Sequence, residues 1–442
     1  MQLPRVLIFG QPFNRRYGGG ITLSNLFSGW EKDKIAVVAG GHTMYSVTTD
    51  ICNNYYQLGK NEVRWIFPFN LIQRQFRSGR LTFNSSTDSI KDAKKKNRIR
   101  SFTVNQLFYP MLEWLGLFHC LFKTRLSPEL KIWLSEFKPE VLYLQVSTRD
   151  TVVYATKLVD YLGIPAVIHN MDDWPSTVST RGIFKKYWSR RIDKEFGFLL
   201  KKVSLALSIS DAMSEAYLKR YNISFIPFHN PIETYKYNYN KTISNNTRDM
   251  FRILYMGRIG LANKETIKHF AEVISRLDIE GITIEFEIYT SDYNKPFSAR
   301  LSKFKSVKIN PPIEHEAVPA LLTDFDLLLL PLDFTRDGEK YAQYSIPTKA
   351  SEYMASGTPI LVYAPQQTAI VKFCTQNNCG HCVTDIDPEK IKEAIKTLIN
   401  NEDYRQMLST NAIKIAFSRF DATKVRNEFR ELLLWLSTTA VE

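Results

Sequence analysis

The sequence predicts an α/β protein built from two domains, each with a parallel sheet covered by helices, and three observations support this. The chain has 442 residues, more than one hydrophobic core usually supports, so two domains are expected. In each half, short apolar runs alternate with helical patterns, and this alternation is typical of a parallel sheet covered by helices. A composition of 44% hydrophobic and 23% charged residues is that of a folded protein.

The first half begins with an apolar run, residues 5–10, that predicts a strand. Gly18, Gly19 and Gly20 follow, and a helical pattern covers 21–30, so we expect a strand, a glycine loop and a helix. A glycine triplet by itself equally serves a flexible turn. Further elements are expected here: strands at 34–40, 141–146, 165–169 and 203–210, and helices at 151–162 and 211–221.

Two stretches interrupt this alternation. Residues 64–138 mix aromatic side chains with a basic run and are interpreted as an insertion. Residues 236–249 are polar and rich in asparagine, which favours an interdomain linker. The predicted domains are 1–240, which carries the insertion, and 241–420. Residues 421–442 are expected to form a C-terminal helix that could pack back on the first domain.

The second half repeats the pattern. Strands are expected at 251–256, 282–289, 327–332 and 359–363, and helices at 264–277, 347–356, 388–400, 403–417 and 423–436. Gly357 is a natural C-terminal cap for the helix before it, and Pro359 prevents that helix from continuing.

The charge of the chain favours an anionic partner. A formal net charge of +13 suits nucleic acid, an acidic membrane surface or a phosphorylated substrate equally well. The start of the chain lacks the pattern of a signal peptide, and the longest apolar run, 107–122, is too short to span a bilayer. We therefore expect a cytoplasmic protein whose five cysteines are reduced.

Two basic residues flank the loop after the first strand of the second half. Arg258 follows that strand and Lys264 begins the next helix, so both can face one anion. A departing diphosphate can be stabilised by such side chains together with a helix N-terminus. Basic residues at strand ends are also commonly plain surface residues.

A second segment, 345–359, carries Lys349 and Glu352 three residues apart on one helix face. Lys349 can meet a phosphate, while Glu352 can accept two hydrogen bonds from a ribose diol. An ion pair on a solvated helix explains the same spacing equally well.

These segments resemble the donor-binding half of GT-B glycosyltransferases of the retaining family 4 kind (glycosyl transferases group 1), in which two Rossmann-like domains face each other across a cleft. The resemblance extends over nearly the whole chain except 64–138. The matching segments are 253–264, 326–331, 345–359, 208–213, 229–231, 164–169 and the glycines at 18–20.

The resemblance implies roles on the donor side. Arg258 and Lys264 would bind the donor diphosphate and Glu352 the ribose, with Lys349 and Ser345 beside them. No metal or other cofactor is expected, because these cations would neutralise the leaving diphosphate. The family usually has a glutamate eight residues before the ribose glutamate, where this chain has Tyr344.

On the other side, the resemblance places His169 near the transferred sugar and the Gly18–Gly20 loop beside the sugar and acceptor. His169 is followed by Asp172 and Asp173, which could supply a base or orient sugar hydroxyls. The alternative is a histidine with a purely structural role.

A cysteine-rich stretch is a candidate metal site. Cys374, Cys379 and Cys382 lie close in sequence, beside His381, with gaps similar to a plant-type iron–sulfur spacing. No fourth cysteine follows, and buried reduced thiols are the simpler interpretation.

The predicted function is transfer of a sugar from a nucleotide-sugar donor to a hydroxyl of a saccharide or lipid-linked acceptor, with retention, in surface polysaccharide or glycolipid synthesis. A peripheral contact with the inner membrane face is expected through 64–126. Its candidate residues are Lys94, Lys95, Lys96, Arg98 and Arg100, with Phe108, Tyr109, Trp114, Leu117, Phe118 and Phe122.

Two alternatives remain open. One is a GT-B sugar-nucleotide epimerase or hydrolase. The other is a basic nucleic-acid-binding protein, which would need a basic stripe within a known module. The only dense basic run, 91–100, falls in the insertion, so no nucleic-acid partner is expected.

Overall fold

The computed structural model describes residues 2–14, 18–41, 43–44, 47–71, 73, 75–83, 108–178, 182–237, 250–277 and 283–439. The chain divides into two compact units: Met1–Phe228 with Arg426–Glu442, and His229–Val425. The boundaries predicted from sequence lie at 240 and 420. The division falls inside the last helix rather than before it.

The strands, numbered in chain order, are β1 (Val6–Phe9), β2 (Ile35–Gly40), β3 (Asn54–Leu58), β4 (Val63–Trp65), β5 (Gly79–Leu81), β6 (Phe122–Thr124), β7 (Val141–Leu144), β8 (Ala166–Asn170), β9 (Leu205–Ser208), β10 (Ile226–Pro227), β11 (Met250–Met256), β12 (Thr283–Tyr289), β13 (Val307–Asn310), β14 (Leu327–Pro331), β15 (Ile360–Tyr363) and β16 (His381–Val383).

The α-helices are α1 (Gly18–Leu26), α2 (Tyr109–Trp114), α3 (Pro128–Phe137), α4 (Arg149–Leu162), α5 (Trp174–Thr177), α6 (Lys185–Leu200), α7 (Asp211–Tyr221), α8 (Lys264–Ile274), α9 (Pro296–Leu301), α10 (Val318–Thr323), α11 (Arg336–Ala342), α12 (Thr348–Ser356), α13 (Ala369–Asn377), α14 (Pro388–Asn400), α15 (Glu402–Ile415) and α16 (Ala422–Thr439). None of the helices in the described ranges is long and apolar enough to cross a membrane.

The first unit contains an eight-stranded sheet of order β10-β9-β8-β7-β1-β2-β3-β5. Its strands are parallel except β5, which pairs antiparallel with β3. All four residues of β1 are buried, because a parallel sheet with helices on both faces excludes water from both. The predicted parallel α/β architecture is confirmed.

The 64–138 segment is less irregular than predicted. β4 and β6 form a separate antiparallel ribbon, and β5 extends the main sheet. Helix α3 buries Leu130, Trp133 and Leu134 and leads into β7, so it belongs to the regular alternation of strands and helices. The predicted basic run 94–100 lies outside the described residues.

The second unit contains a six-stranded parallel sheet of order β13-β12-β11-β14-β15-β16. Alternate residues of one strand serve two cores: Leu254 faces the cluster that holds α12 and α13, and Ile253 faces the cluster that holds α8 and α14. This alternation follows from the two-residue period of a strand.

Local capping signals set the helix ends that sequence predicted best. Helix α7 begins after Ser210, whose side chain accepts a hydrogen bond from the Met213 amide, and ends at Asn222 in the left-handed region. Helix α12 ends at Gly357, with φ of 72°. These ends confirm the predictions, because caps act through residues adjacent in sequence.

The buried aromatic cluster at Phe429 generates a stability prediction. Phe429 on α16 is fully buried and contacts the rings of Phe27, Tyr143 and Phe228 at centroid distances of 5.1, 5.9 and 5.8 Å. We expect Phe429→Ala to lower the free energy of unfolding of this unit by about 3–5 kcal/mol, the usual loss for a buried phenylalanine. Denaturant titration followed by circular dichroism measures it.

The matched control is Trp435→Ala, on the same helix, because the Trp435 side chain is 54% exposed. It should shift the unfolding midpoint only slightly. Equal losses in the two variants would contradict the assignment of Phe429 to the core.

Candidate functional site

On the second unit, predicted donor residues gather at the carboxyl end of β11. Gly257 follows this strand with φ of +145°, and a Cβ atom there would lie 2.6 Å from the Nζ of Lys349. Glycine alone tolerates both this backbone conformation and this approach. The Lys349 side chain therefore lies against the end of the strand.

The Tyr255 hydroxyl holds this arrangement. It donates to the carbonyl of Arg258 at 2.6 Å and accepts from the Nδ2 of Asn263 at 2.6 Å and from the Nζ of Lys349 at 2.9 Å. A phenol offers one donor and two acceptor positions, so all three are used. The Lys349 Nζ also lies 4.1 Å from the Tyr255 ring centroid, a cation–π distance.

Burial disfavours the charged forms of both Lys349 and Glu352. Burial lowers the pKa of Lys349 to about 7, against the negative charge of Glu352. Burial also raises the pKa of Glu352 to about 7, against the positive charge of Lys349. A group whose charged form is disfavoured by burial regains its charge when a complementary ligand arrives.

Helix α12 holds Glu352 in a defined place. The adjacent Tyr353 is buried, and its hydroxyl accepts a hydrogen bond from the Met256 amide at 2.9 Å, which ties the helix to β11. The Glu352 side chain is 17% exposed, and the Nδ1 of His315 lies 3.8 Å from its Oε1. Sequence reasoning missed His315, since it lies far from Glu352 in sequence.

Arg258 and Lys264 are less tightly placed. Arg258 is exposed. The Nζ of Lys264 lies 5.1 Å from the Phe297 ring centroid and 3.5 Å from a carboxylate oxygen of Glu265. Arg258 lies in the loop and Lys264 at the helix start, as the sequence predicted. Lys349, in contrast, packs closely against the strand end.

The N-terminus of α8 is already bound within the chain. Asp333 is buried and accepts hydrogen bonds from the amides of Thr266 at 2.8 Å and Glu265 at 3.4 Å. A carboxylate at this position satisfies the first-turn amides and the helix dipole. The Lys264 amide donates to the Gly260 carbonyl at 2.9 Å, so the amides of residues 264–266 all have partners within the chain.

A cavity of about 140 Å³ adjoins this cluster and is lined by Asn263, Ser345 and Lys349 among others. Of the predicted donor residues, Ser345 and Lys349 line this cavity together. The other three do not line it: Arg258, Lys264 and Glu352.

On the first unit, a larger cavity of about 430 Å³ opens at the carboxyl ends of the parallel strands. Such ends are where ligands bind in open α/β sheets. Three residues of the predicted site line this cavity: Gly19, His169 and Asp172. The 64–138 segment contributes Trp65 and Phe76 to its wall.

His169 is buried at the end of β8. Its Nδ1 lies 2.6 Å from the Tyr143 hydroxyl, which also accepts from the Nε2 of Gln145 at 3.4 Å. Burial raises the pKa of Tyr143, so the phenol keeps its proton. This contact sets the orientation of the imidazole at the cavity wall.

The two aspartates after β8 have different surroundings. Asp172 lines the cavity. Asp173 does not line it; this buried carboxyl accepts a hydrogen bond from the Tyr217 hydroxyl at 2.8 Å and lies 3.5 Å from the Nη1 of Arg220. Burial raises the pKa of Asp173. Its contacts join the start of α5 to α7, which is a structural arrangement.

Gly18, Gly19 and Gly20 lie in helix α1 (Gly18–Leu26) rather than in the predicted loop. A Cβ atom at Gly20 would lie 1.8 Å from the Nδ2 of Asn14, whereas one at Gly19 would lie 3.5 Å from the Oε1 of Gln145. Gly20 thus lets the helix pass close to Asn14.

Phe76 and Gln145 also line this cavity, and sequence reasoning missed both. Two glycines allow them to approach closely. A Cβ atom at Gly41 would lie 2.2 Å from the Phe76 ring, and one at Gly10 would lie 2.0 Å from the Gln145 carbonyl oxygen. Each of these glycines directly follows a strand. Glycines at strand ends were therefore the sequence signal that could have located the cavity.

The cysteine-rich stretch shows no metal geometry. Among the described residues, no group of three or more His, Cys, Asp or Glu side chains could hold a metal ion. Cys374 and Cys379 are buried, and a hydrogen bond between the two thiols and burial raise the pKa of Cys374.

Comparison with known proteins identifies the domain and the fold. Residues 250–401 match the family model described as Glycosyl transferases group 1. No curated protein sequence matches the chain. Among solved structures, HepE from Anabaena in complex with UDP is similar with a TM-score of 0.60 at 14% identity, covering 97% of this chain and 99% of that one.

Two further solved structures are similar at low identity. Sucrose-phosphate synthase from Thermosynechococcus elongatus has a TM-score of 0.61 at 12% identity, covering 98% of this chain and 99% of that one. WaaG, a glycosyltransferase involved in lipopolysaccharide biosynthesis, has a TM-score of 0.55 at 11% identity, with 97% and 99% covered. The chain is a glycosyltransferase of the GT-B fold, and its residues 250–401 form a Glycosyl transferases group 1 domain.

Proposed function

We propose that this glycosyltransferase moves a sugar from a nucleoside-diphosphate sugar to a hydroxyl of a saccharide or lipid-linked acceptor, in surface polysaccharide or glycolipid synthesis. The observation that carries the proposal is the joint placement of Lys349 and Glu352 at the end of β11, inside the matched domain. UDP bound to HepE supports a uridine donor, and the role of WaaG in lipopolysaccharide biosynthesis supports a surface glycan as product.

On the donor side, Lys349, Arg258 and Lys264 hold the diphosphate, and Ser345 lies beside it. Glu352 accepts the two ribose hydroxyls as a carboxylate. Bound diphosphate favours protonated Lys349, and bound ribose favours ionised Glu352. Because both pKa values are about 7 before binding, the donor converts a partly ionised pair into a fully ionised one.

The transfer proceeds with retention of configuration. The bond from the sugar C1 to the diphosphate oxygen breaks, and a bond from C1 to the acceptor oxygen forms on the same face. The acceptor proton passes to an oxygen of the departing diphosphate. His169 and Asp172 at the cavity wall orient sugar hydroxyls, and the backbone of Gly18–Gly20 adjoins the sugar and acceptor.

Product analysis tests the reaction class. Incubation with UDP-sugars should give a glycoside only when an acceptor is present. Release of free sugar, or formation of an epimeric UDP-sugar, without any acceptor-dependent product would instead identify a hydrolase or an epimerase.

We further propose that the enzyme works at the inner face of the cell membrane, where a lipid-linked acceptor is anchored. The basic residues expected to make this contact, at 94–100, lie outside the described residues. Of the described aromatics in the same segment, Trp114 is 54% exposed, whereas Tyr109 and Phe118 contact the Trp65 ring. Sedimentation with anionic vesicles tests this contact.

Replacing the carboxylate of Glu352 should weaken donor binding. We expect Glu352→Gln to lower UDP affinity by about 1.5–3 kcal/mol, roughly ten- to a hundredfold, because hydrogen bonds to a charged acceptor are lost. Calorimetric titration measures this, with Glu316→Gln as control because Glu316 is exposed nearby. Unchanged affinity in the Glu352→Gln variant would refute the ribose assignment.

The same pair predicts a pH optimum of UDP affinity near 7. Below that pH a proton must leave Glu352 before the ribose binds, and above it a proton must be taken up by Lys349. The Glu352→Gln variant should lose the acid-side decline, so its deficit relative to wild type should shrink as the pH falls.

Closing the space beside Gly257 should displace Lys349. We expect Gly257→Ala to lower UDP affinity at least about tenfold, because alanine strains the backbone there and meets the Lys349 amine. Gly260→Ala is the matched control in the same loop, since a Cβ atom at Gly260 meets nothing within 4 Å. Equal affinities of the two variants, both with native circular dichroism spectra, would count against the role of Lys349.

Turnover should need no metal ion, because Lys349, Arg258 and Lys264 supply positive charge to the leaving group. Initial rates should be the same with and without EDTA. Full loss of activity in EDTA, restored by Mg²⁺ or Mn²⁺, would overturn this expectation and direct attention to Asp172, which lines the cavity.

A further inference from the structure

Five large apolar side chains are exposed at one place on the first unit. They belong to α2 and to residues 183–187, which lead into α6 and form its first turn: Met111 (47% exposed), Trp114 (54%), Ile183 (58%), Phe184 (51%) and Tyr187 (52%). We call them the α2–α6 surface. Single exposed apolar residues are common, but a contiguous set marks a binding surface.

The two segments are adjoining parts of one surface. The Ile183 amide donates to the Trp114 carbonyl at 3.0 Å. A Cβ atom at Gly116, just after α2, would lie 3.4 Å from the Cβ of Phe184. Residues 183 and 184 are thereby held against the C-terminal end of α2, which brings the exposed side chains of the two segments close to one another.

Basic side chains lie within the α2–α6 surface. Between 183 and 191 the sequence carries Lys185, Lys186, Arg190 and Arg191 and no acidic residue. Lys185, Lys186 and Arg190 are exposed, while Arg191 donates to the Tyr187 hydroxyl at 2.8 Å. The exposed acid nearby is Glu113 on α2.

The position of these cations favours an anionic partner. Lys185 and Lys186 are the first two residues of α6, which has no acidic residue in its first turn. Cations at a helix N-terminus oppose the helix dipole, and negative charge there is favourable. An anionic surface facing this turn would therefore interact favourably with both the lysines and the helix.

We propose that the α2–α6 surface docks on an anionic lipid bilayer. Its apolar side chains enter the boundary between headgroups and acyl chains, while Lys185, Lys186 and Arg190 contact lipid phosphates. The inference rests on the membrane contact in the proposed function. It assigns that contact to residues 111–114 and 183–190 instead of the 94–100 run. A protein partner fits less well, because the core of a protein interface is depleted in lysine.

The surface also lies next to the cavity of the first unit. Tyr109 of α2 contacts the Trp65 ring at a centroid distance of 6.2 Å, and Trp65 lines that cavity. A bilayer bound along α2 brings lipid headgroups beside this wall. A lipid-linked acceptor can then reach the cavity without leaving the membrane.

Vesicle sedimentation of the full chain tests the inference. Wild type should sediment with phosphatidylglycerol–phosphatidylcholine vesicles at least about tenfold more than with phosphatidylcholine alone, and less at high salt. Lys185→Glu combined with Lys186→Glu should reduce binding at least about tenfold, since each basic residue near an anionic surface contributes about fivefold. Phe184→Ser should reduce it by removing a membrane-inserting side chain.

Two matched controls should bind like wild type. Lys303→Glu with Lys305→Glu makes the same change in net charge at exposed positions of the second unit. Ile132→Ser removes another apolar side chain of the first unit, which is 59% exposed. Losses equal to those of the surface variants would show that binding is non-specific and overturn the proposal.

Absence of wild-type sedimentation would also overturn it. If the surface variants then changed the oligomeric state in ultracentrifugation, the surface would be a protein interface. UDP affinity, measured by calorimetry, should be unchanged in every variant. Failure of wild type to bind UDP would count against the proposed donor and leave the vesicle result intact, so the two proposals can fail separately.

Discussion

The proposed donor site depends on one hydroxyl group, that of Tyr255. Its three hydrogen bonds join the strand end at Arg258, the start of α8 at Asn263, and Lys349 of α12. These partners come from separate parts of the unit, so one buried phenol fixes their spacing. Burial raises the pKa of Tyr255, and the group therefore stays a neutral donor whose hydrogen-bonding positions are all used.

Lys349 and Glu352 both lie where water solvates their charges poorly. Holding such groups costs free energy in the absence of a ligand, and a ligand of opposite charge recovers it. The Tyr353 contact with the Met256 amide keeps α12 from relaxing away from the strand. These contacts order the strand end and α12 in the absence of a ligand, and such ordering would lower the entropy lost when the proposed donor binds.

Both units use glycine in the same way. Gly257 admits a lysine side chain at one strand end, and Gly10 and Gly41 admit a carbonyl oxygen and an aromatic ring at others. Each lies just beyond the carboxyl end of a parallel strand, where open α/β sheets bind their ligands. A missing Cβ atom there lets distant segments approach closely enough to wall a site.

Sequence alone determined the α/β class, the parallel sheets and the ends of α7, α12 and α14, because periodicity and capping act between near neighbours. The resemblance placed the donor-binding segments at 253–264, 326–331 and 345–359, all within the matched residues 250–401. Tertiary structure alone decided that Asp172 lines the cavity while Asp173 joins two helices. It also decided that Asp333 occupies the start of α8 and that Tyr255 holds Lys349. Each of these depends on partners distant in sequence, and local patterns carry no record of which side chains folding brings together.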